Sequence, residues 1–481
     1  MKDKSDGLIS GFIWKFAERF LAQIVSFVVS IILARILAPE DYGVISLILV
    51  FIAFADVFVT SGFSTSLIQK KDATETDFST IFFCSLFVSI FIYGILFFTA
   101  PMIAEFYEIP QLTLILRVFS LRIVVSSYNS VQHAYVSRNL IFKKFFFSTL
   151  FGTVLSGVFG IIAAYCGLGV WALIIQYMTN TFVDTIVLSI TIKWRPKLVF
   201  SIRSAKELMG YGWKILVADL SGTFFEQLRS LIIGKVYTSG DLAYYNRGKS
   251  FSSLVMDNIS TAMMSVLFPD MANKIDNIKV LKNTLRKSIQ VMTYIIFPLI
   301  GGLVIVADPI VNVLLTEKWI PAIPYLQLLA VASGISLIGN ISLQSIKAIG
   351  CSDVVLKLEF IKKPVYLFLL IIGVKVSPIA IAVTMVMYSF YSTIANTHQL
   401  RILIMYSYRE QLQDVAKTII ITMVMCALIF PIKYLIANKL LLLFLQIVSG
   451  GVLYIIFSIA FKVEAMEYIK AIFIHIKNRQ H

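Results

Sequence analysis

The chain has 481 residues, of which 58% are hydrophobic and only 14% charged, with a mean hydropathy of +0.85. A soluble domain carries about a quarter charged residues, so this composition excludes one; apolar runs of about 20 residues along the whole length indicate a polytopic membrane protein. The net charge of +15 does not call for nucleic acid, because the basic residues gather in short loops on one membrane face, as the positive-inside rule requires.

Fourteen apolar segments follow in order. The first six lie at about 11–34, 43–66, 78–101, 112–136, 146–166 and 168–192. The next six lie at about 210–236, 248–269, 287–308, 322–347, 354–373 and 377–403, and a last pair at about 413–436 and 440–462. The first segment carries Lys15, Glu18 and Arg19 ahead of its plain apolar run. A signal-peptide core would not, so it reads as a retained first span. The stretch at 11–43 is echoed about 200 residues later. Gly11 pairs with Gly210, Trp14-Lys15 with Trp213-Lys214 and, after a one-residue slip, Asp41 with Asp241. Internal repeats of this kind are a signature of transporters whose substrate site lies between the halves.

The expected fold is therefore an all-α polytopic membrane protein with about 14 transmembrane helices. It forms two pseudo-symmetric six-helix lobes and a C-terminal helix pair. The expected division is an N-terminal lobe at 1–200, a C-terminal lobe at 201–405, and two extra transmembrane helices with a cytoplasmic tail at 406–481. With both termini cytoplasmic, 26 Lys and Arg residues fall on the inner face against eight on the outer. The longest loops, about 192–210 and 270–287, are basic and cytoplasmic, and the first is the natural linker between halves. Cys84, Cys166, Cys351 and Cys426 have no CxxC spacing and read as small core residues.

Ionisable groups at membrane depth are costly and usually face a bundle interior or a water-filled cavity. Lys15, Glu18, Arg19 and Ser26 share one helical face. Arg122, Ser126, Asn129 and His133 share another, and Asp219, Gly222, Glu226 and Arg229 a third. Asp56, Asp184, Asp257, Lys362 and Lys363 add charge on further segments. These faces suggest a central cavity, against the alternatives of helix–helix contacts and of snorkelling to the interface. Arg122, Arg229, Lys15, Arg19 and Lys363 are the candidate cavity cations, suited to a diphosphate or an acidic sugar. Asp56, Glu18 and Glu226 are the candidate coupling or gating carboxylates. They would either pair with these cations or carry a coupling ion, H+ or Na+. His133 and His398 read as packing histidines. No P-loop, HExxH or GxSxG motif occurs, so neither an enzyme nor a cofactor is expected.

The runs ARILAPEDYGVISL and SGFSTSLIQKKD, then YYNRGKSFSSLV, VLFPDMANKIDN and LTEKWIPAIPYLQLLA, resemble the Wzx-like polysaccharide flippases. These are the polysaccharide transporter family, here its colanic-acid-exporter-like branch, within the multidrug/oligosaccharidyl-lipid/polysaccharide exporter superfamily. The resemblance implies alternating access, a cationic cavity, and an undecaprenyl-diphosphate-linked oligosaccharide as substrate, of the surface-polysaccharide or O-antigen type. It also implies the bacterial inner membrane, ion coupling, and polysaccharide polymerase and glycosyltransferase partners. The rival readings are a multidrug or cation antiporter of the same superfamily and a polymerase or synthase-associated membrane protein.

Overall fold

The computed structural model describes residues 2–70, 72–272, 274 and 277–468. The side chain of Asp257 and the end of the expected tail lie outside the described residues. The described residues form seventeen α-helices, one π-helical turn at Val57–Ser61 and one 3-10 turn at Glu317–Ala322, with no strand among them. In chain order the helices are α1 (Lys2–Ile36), α2 (Pro39–Asp56), α3 (Gly62–Gln69), α4 (Glu75–Tyr107), α5 (Leu112–Arg138), α6 (Lys143–Tyr165), α7 (Val170–Thr191), α8 (Ile202–Val236) and α9 (Ser239–Ala272). They continue as α10 (Ile278–Ile305), α11 (Ala307–Leu314), α12 (Ile323–Ala348), α13 (Ser352–Val376), α14 (Pro378–Ile404), α15 (Tyr408–Ile429), α16 (Ile432–Leu435) and α17 (Lys439–Ala460).

Eleven of these helical stretches, among the described residues, are long and apolar enough to cross a membrane. The other three expected segments fall on α8, α9 and α13, with 35, 34 and 25 residues. They are long enough at about 1.5 Å per residue. Their charges dilute the apolar signal: Asp219, Glu226 and Arg229 on α8, Arg247 and Lys249 on α9, and Lys357, Glu359, Lys362 and Lys363 on α13.

The repeat recurs in the backbone. Both α1 and α8 have 35 residues and occupy the same register 200 positions apart, Lys2–Ile36 and Ile202–Val236. Each is followed by a two-residue break before α2 or α9. The break is closed the same way twice: Asp41 Oδ2 accepts from the Ala38 N–H and Asp241 Oδ2 from the Thr238 N–H, both at 3.2 Å. A carboxylate three residues into a helix satisfies an N–H that the helix leaves without a partner.

The chain divides into two compact units, Met1–Ala243 and Tyr244–His481. In the first, α6 packs along α1 and α7, α5 along α4 and α7, and α8 against α2, α3 and the π turn. Lipid removes the hydrophobic drive between helices, so close approach through small residues and polar contacts matters more. Gly157 sits on Val29, and Gly160 on Gln176. At Gly43 an added Cβ would lie 1.8 Å from the Ser239 carbonyl oxygen, so only glycine lets α2 meet the start of α9. Buried Trp194, where α7 gives way to the linker, packs among Phe78, Tyr128 and Tyr135. The linker is then fixed to the start of α4. The Lys197 and Ser201 N–H groups donate to Ser79 Oγ and Thr80 Oγ1, both at 3.1 Å, and Lys197 pairs with Glu75.

In the second unit α12 lies along α14, α13 along α14, and α10 against α12 and α15. Asn396 Nδ2 donates to the Gly339 carbonyl (3.0 Å) and Ser336 Oγ to Ser389 Oγ (3.0 Å). The C-terminal helices are clasped to α10 by charge. Arg286 donates twice to Asp414, from Nε at 2.7 Å and an Nη at 2.8 Å. Lys282 donates to Glu410 (2.8 Å). Gln290 Nε2 and the Tyr406 hydroxyl also donate to Asp414, at 2.8 Å and 2.7 Å. Burial first, then the bond to Asp414, holds the Tyr406 phenol above its usual range.

Candidate functional site

A cavity of about 380 Å³ opens within the first unit between α5 and the broken second helix. This lies inside the size range of small-ligand pockets, about 300–1,000 Å³. Its α5 wall is the stripe Arg122, Ser126, Asn129 and His133, with Ser130 and Ser137. Residues at i, i+4, i+7 and i+11 keep one face over three turns. The opposite wall is Asp56, Thr60, Ser64 and Ile68, from α2, the π turn and α3. The π turn starts one residue after Asp56, and Thr60 Oγ1 donates back to the Asp56 carbonyl (2.7 Å). Single π turns inside α-helices recur at functional sites.

Arg122 is held between two elements. Its Nε donates to Thr181 Oγ1 of α7 (2.8 Å), while Nη2 stands 3.9 Å from Asp56 Oδ2. The second fits a Coulombic pair but is too long for a hydrogen bond. Asp56 Oδ1 is buried with no hydrogen-bond partner. Behind the α5 wall lies Asp184 of α7. Its Oδ2 accepts from Asn129 Nδ2 (2.8 Å) and stands 2.9 Å from His133 Nε2. The His133 ring packs on Phe145, 4.6 Å between centroids.

The structure brings Asp56 and Arg122 together in this cavity. Glu18 is buried and pairs with Lys15 (2.6 Å), whose ammonium sits over the other side-chain neighbour of His133, Phe145, at 4.5 Å from the ring centroid. Arg19 is exposed on α1. On α8, Arg229 is buried and Glu226 exposed. Lys363 belongs to the second unit, on α13, 3.6 Å from Glu359. Sequence reasoning read His133 as packing and counted Asp184 among the charges of a central cavity without giving it a role of its own. The signal for both was present: Gln176, Asn180 and Asp184 form a polar stripe on α7 that matches the one on α5.

A family model described as polysaccharide biosynthesis protein matches residues 32–324. The succinoglycan biosynthesis transport protein ExoT of Rhizobium meliloti (strain 1021) is 27% identical over 312 residues, covering 65% of this chain and 63% of that protein. The lipopolysaccharide biosynthesis protein WzxC of Escherichia coli (strain K12) is 23% identical, covering 76% and 75%. The chain thus spans just under two thirds of the former's length and three quarters of the latter's. Among solved structures, the lipid II flippase MurJ in an inward closed conformation superposes with a TM-score of 0.75 at 17% identity, covering 95% of this chain and all of that one. An inward-facing multidrug resistance MATE family transporter of the MOP superfamily gives 0.60 at 15% identity, covering 81% and 98%. At these identities the likeness is one of fold: the protein is an all-helical, multi-pass membrane protein built like these transporters.

Proposed function

We propose, for a chain that belongs to the polysaccharide biosynthesis protein family, that it is a flippase for a lipid-linked oligosaccharide in surface-polysaccharide export. The observation that carries this reading is the Arg122–Asp56 cavity. It is a hydroxyl-rich pocket with one fixed cation, set inside a membrane bundle. Hydroxyls and amides suit sugar, and a guanidinium suits phosphate, which it binds through a planar fork. The names and folds of the relatives support the same class of work, transport rather than catalysis. An acidic, aromatic cavity would suit a drug or cation antiporter better than this lining does.

In this reading Arg122 exchanges its loose Asp56 partner for the anionic head group, and the two lobes, 1–200 and 201–405, alternate access across fourteen spans. The setting is the bacterial cytoplasmic membrane with both termini inside, with H+ or Na+ as coupling ion, alongside a polymerase and glycosyltransferases. The test is translocation of a defined undecaprenyl-diphosphate oligosaccharide in proteoliposomes. Arg122→Ala removes a charge-assisted contact worth about 1.5–3 kcal/mol, so the rate should fall about tenfold to a hundredfold. Full activity in a normally inserted Arg122→Ala protein would remove this residue from the site.

A further inference from the structure

The Asp184–His133 pair behind the cavity wall has no place in anion binding as such, yet it is built with care. Asp184 is 9% exposed and lies on a membrane-crossing helix. Both groups that hold its Oδ2, Asn129 and His133, are themselves cavity lining. Its Oδ1 is buried with no hydrogen-bond partner. Ser148 of α6 lies beside it, but that hydroxyl donates to the Phe145 carbonyl (3.2 Å).

The fixed charges can be counted. With both carboxylates ionised, Asp56 and Asp184 set two negative charges against Arg122, so with neutral His133 the cluster carries one net negative charge. Around it, α1 brings the mutually paired Lys15 and Glu18 across Phe145. Helix α8, packed on the π turn and α3, carries Lys214, Asp219, Glu226 and Arg229. Net charge at membrane depth is unfavourable, and a diphosphate at Arg122 would make the cluster more negative still. One proton on the pair neutralises the empty cluster and offsets part of the incoming charge. Sodium is the weaker fit, because imidazole is a poor ligand for a hard cation, and no group of three His, Cys, Asp or Glu side chains able to hold a metal occurs among the described residues.

We propose that Asp184 and His133 form a proton site whose occupation is positively linked to anion binding at Arg122, with Asn129 and His133 as the shared wall between the two sites. This rests on the flippase reading and gives its anion site a proton control; it names no driving ion, since a proton bound together with the exported anion would leave against an inward proton gradient. Linkage is reciprocal: the proton raises anion affinity and the anion raises proton affinity by one factor, commonly fivefold or more.

The test uses the full chain in nanodiscs without sodium. The probe is UDP-glucose, a soluble sugar pyrophosphate diester, at about pH 5.5 and about pH 7.5, either side of the usual imidazole titration. The wild type should bind about fivefold or more tightly at the acid pH. His133→Gln cannot take the proton, so it should bind alike at the two pH values, whatever its absolute affinity as a lining residue. Asp184→Asn removes the excess negative charge, so it should lose most of the response and already bind near the acid value at neutral pH. The gain in neutral-pH affinity in Asp184→Asn, a residue outside the cavity lining, separates linkage from mere damage. A wild type that binds equally at both pH values, or variants that keep its response, overturn the proposal and leave the flippase reading standing. A neutral-pH affinity raised by added sodium overturns the choice of proton. A wild type that binds no probe at either pH sinks the anion site and the linkage together.

Discussion

Replacing Asp414 by alanine tests how the C-terminal helices are held. Its side chain is 3% exposed and accepts from Arg286, Gln290 and Tyr406, four contacts of 2.7–2.8 Å in all. Removing the acceptor of a buried pair costs about 3–5 kcal/mol, because the remaining charge has no counterpart. Arg286 is 32% exposed, so water recovers part of that loss and about 2–3 kcal/mol is expected. For a unit of this size that lowers the melting temperature by about 4–12 °C. A thiol-reactive dye reports the melt, since Cys426 lies partly buried on the same helix, against the cluster of Ile421, Met425 and Tyr454. The decisive protein is the double variant Arg286→Met with Asp414→Leu. If the loss comes from an uncompensated guanidinium, removing both charges recovers most of it. A single variant that melts within about 2 °C of wild type would refute the reasoning, as would a double variant less stable than the single one.

Gly43→Ala should destabilise by at least about 1–3 kcal/mol, because the new methyl meets the Ser239 backbone rather than a movable side chain; thermal denaturation in detergent checks it, with Gly94→Ala, which meets nothing, as the neutral comparison. Asp77→Ala removes both the carboxylate that accepts from the Thr74 N–H (2.8 Å) at the start of α4 and the buried partner of Lys70 (3.1 Å), at a combined cost of about 2 kcal/mol, and should raise hydrogen exchange across 192–207, the segment that α4 pins; Glu207→Ala, an exposed partner of the same lysine, should change little.

Much of this architecture is legible in residue order. The turn carboxylates Asp41 and Asp241 announce the duplication, since helix starts depend on local capping and little else. The α5 stripe from Arg122 to His133 is likewise a matter of helical period alone. What stays hidden depends on contacts between distant segments. Whether His133 meets Phe145 or Asp184 is decided by how α6 and α7 are rotated, which no period reveals. The charges on α8, α9 and α13 blur the span count, because hydropathy averages a polar face together with an apolar one. The linker's attachment to Ser79 and Thr80 is also invisible locally: two hydroxyls on an apolar helix look like any small residues.

The π turn after Asp56 also bears on which changes this wall tolerates. A π turn holds one residue more than the α-helix it interrupts, and each helical residue advances the chain by about 100°. The wide turn absorbs that residue: in an unbroken α-helix of the same length Ser64 would stand about 80° and Ile68 about 120° round from Asp56, off the wall that all three now form. Without the turn the side-chain inventory would be the same and the pocket would be gone. The wall facing Arg122 is thus specified by the turn as much as by residue type: a one-residue deletion that converts the turn to α-helix should leave Ser64 and Ile68 on it, whereas a one-residue insertion should swing them off by about 100°.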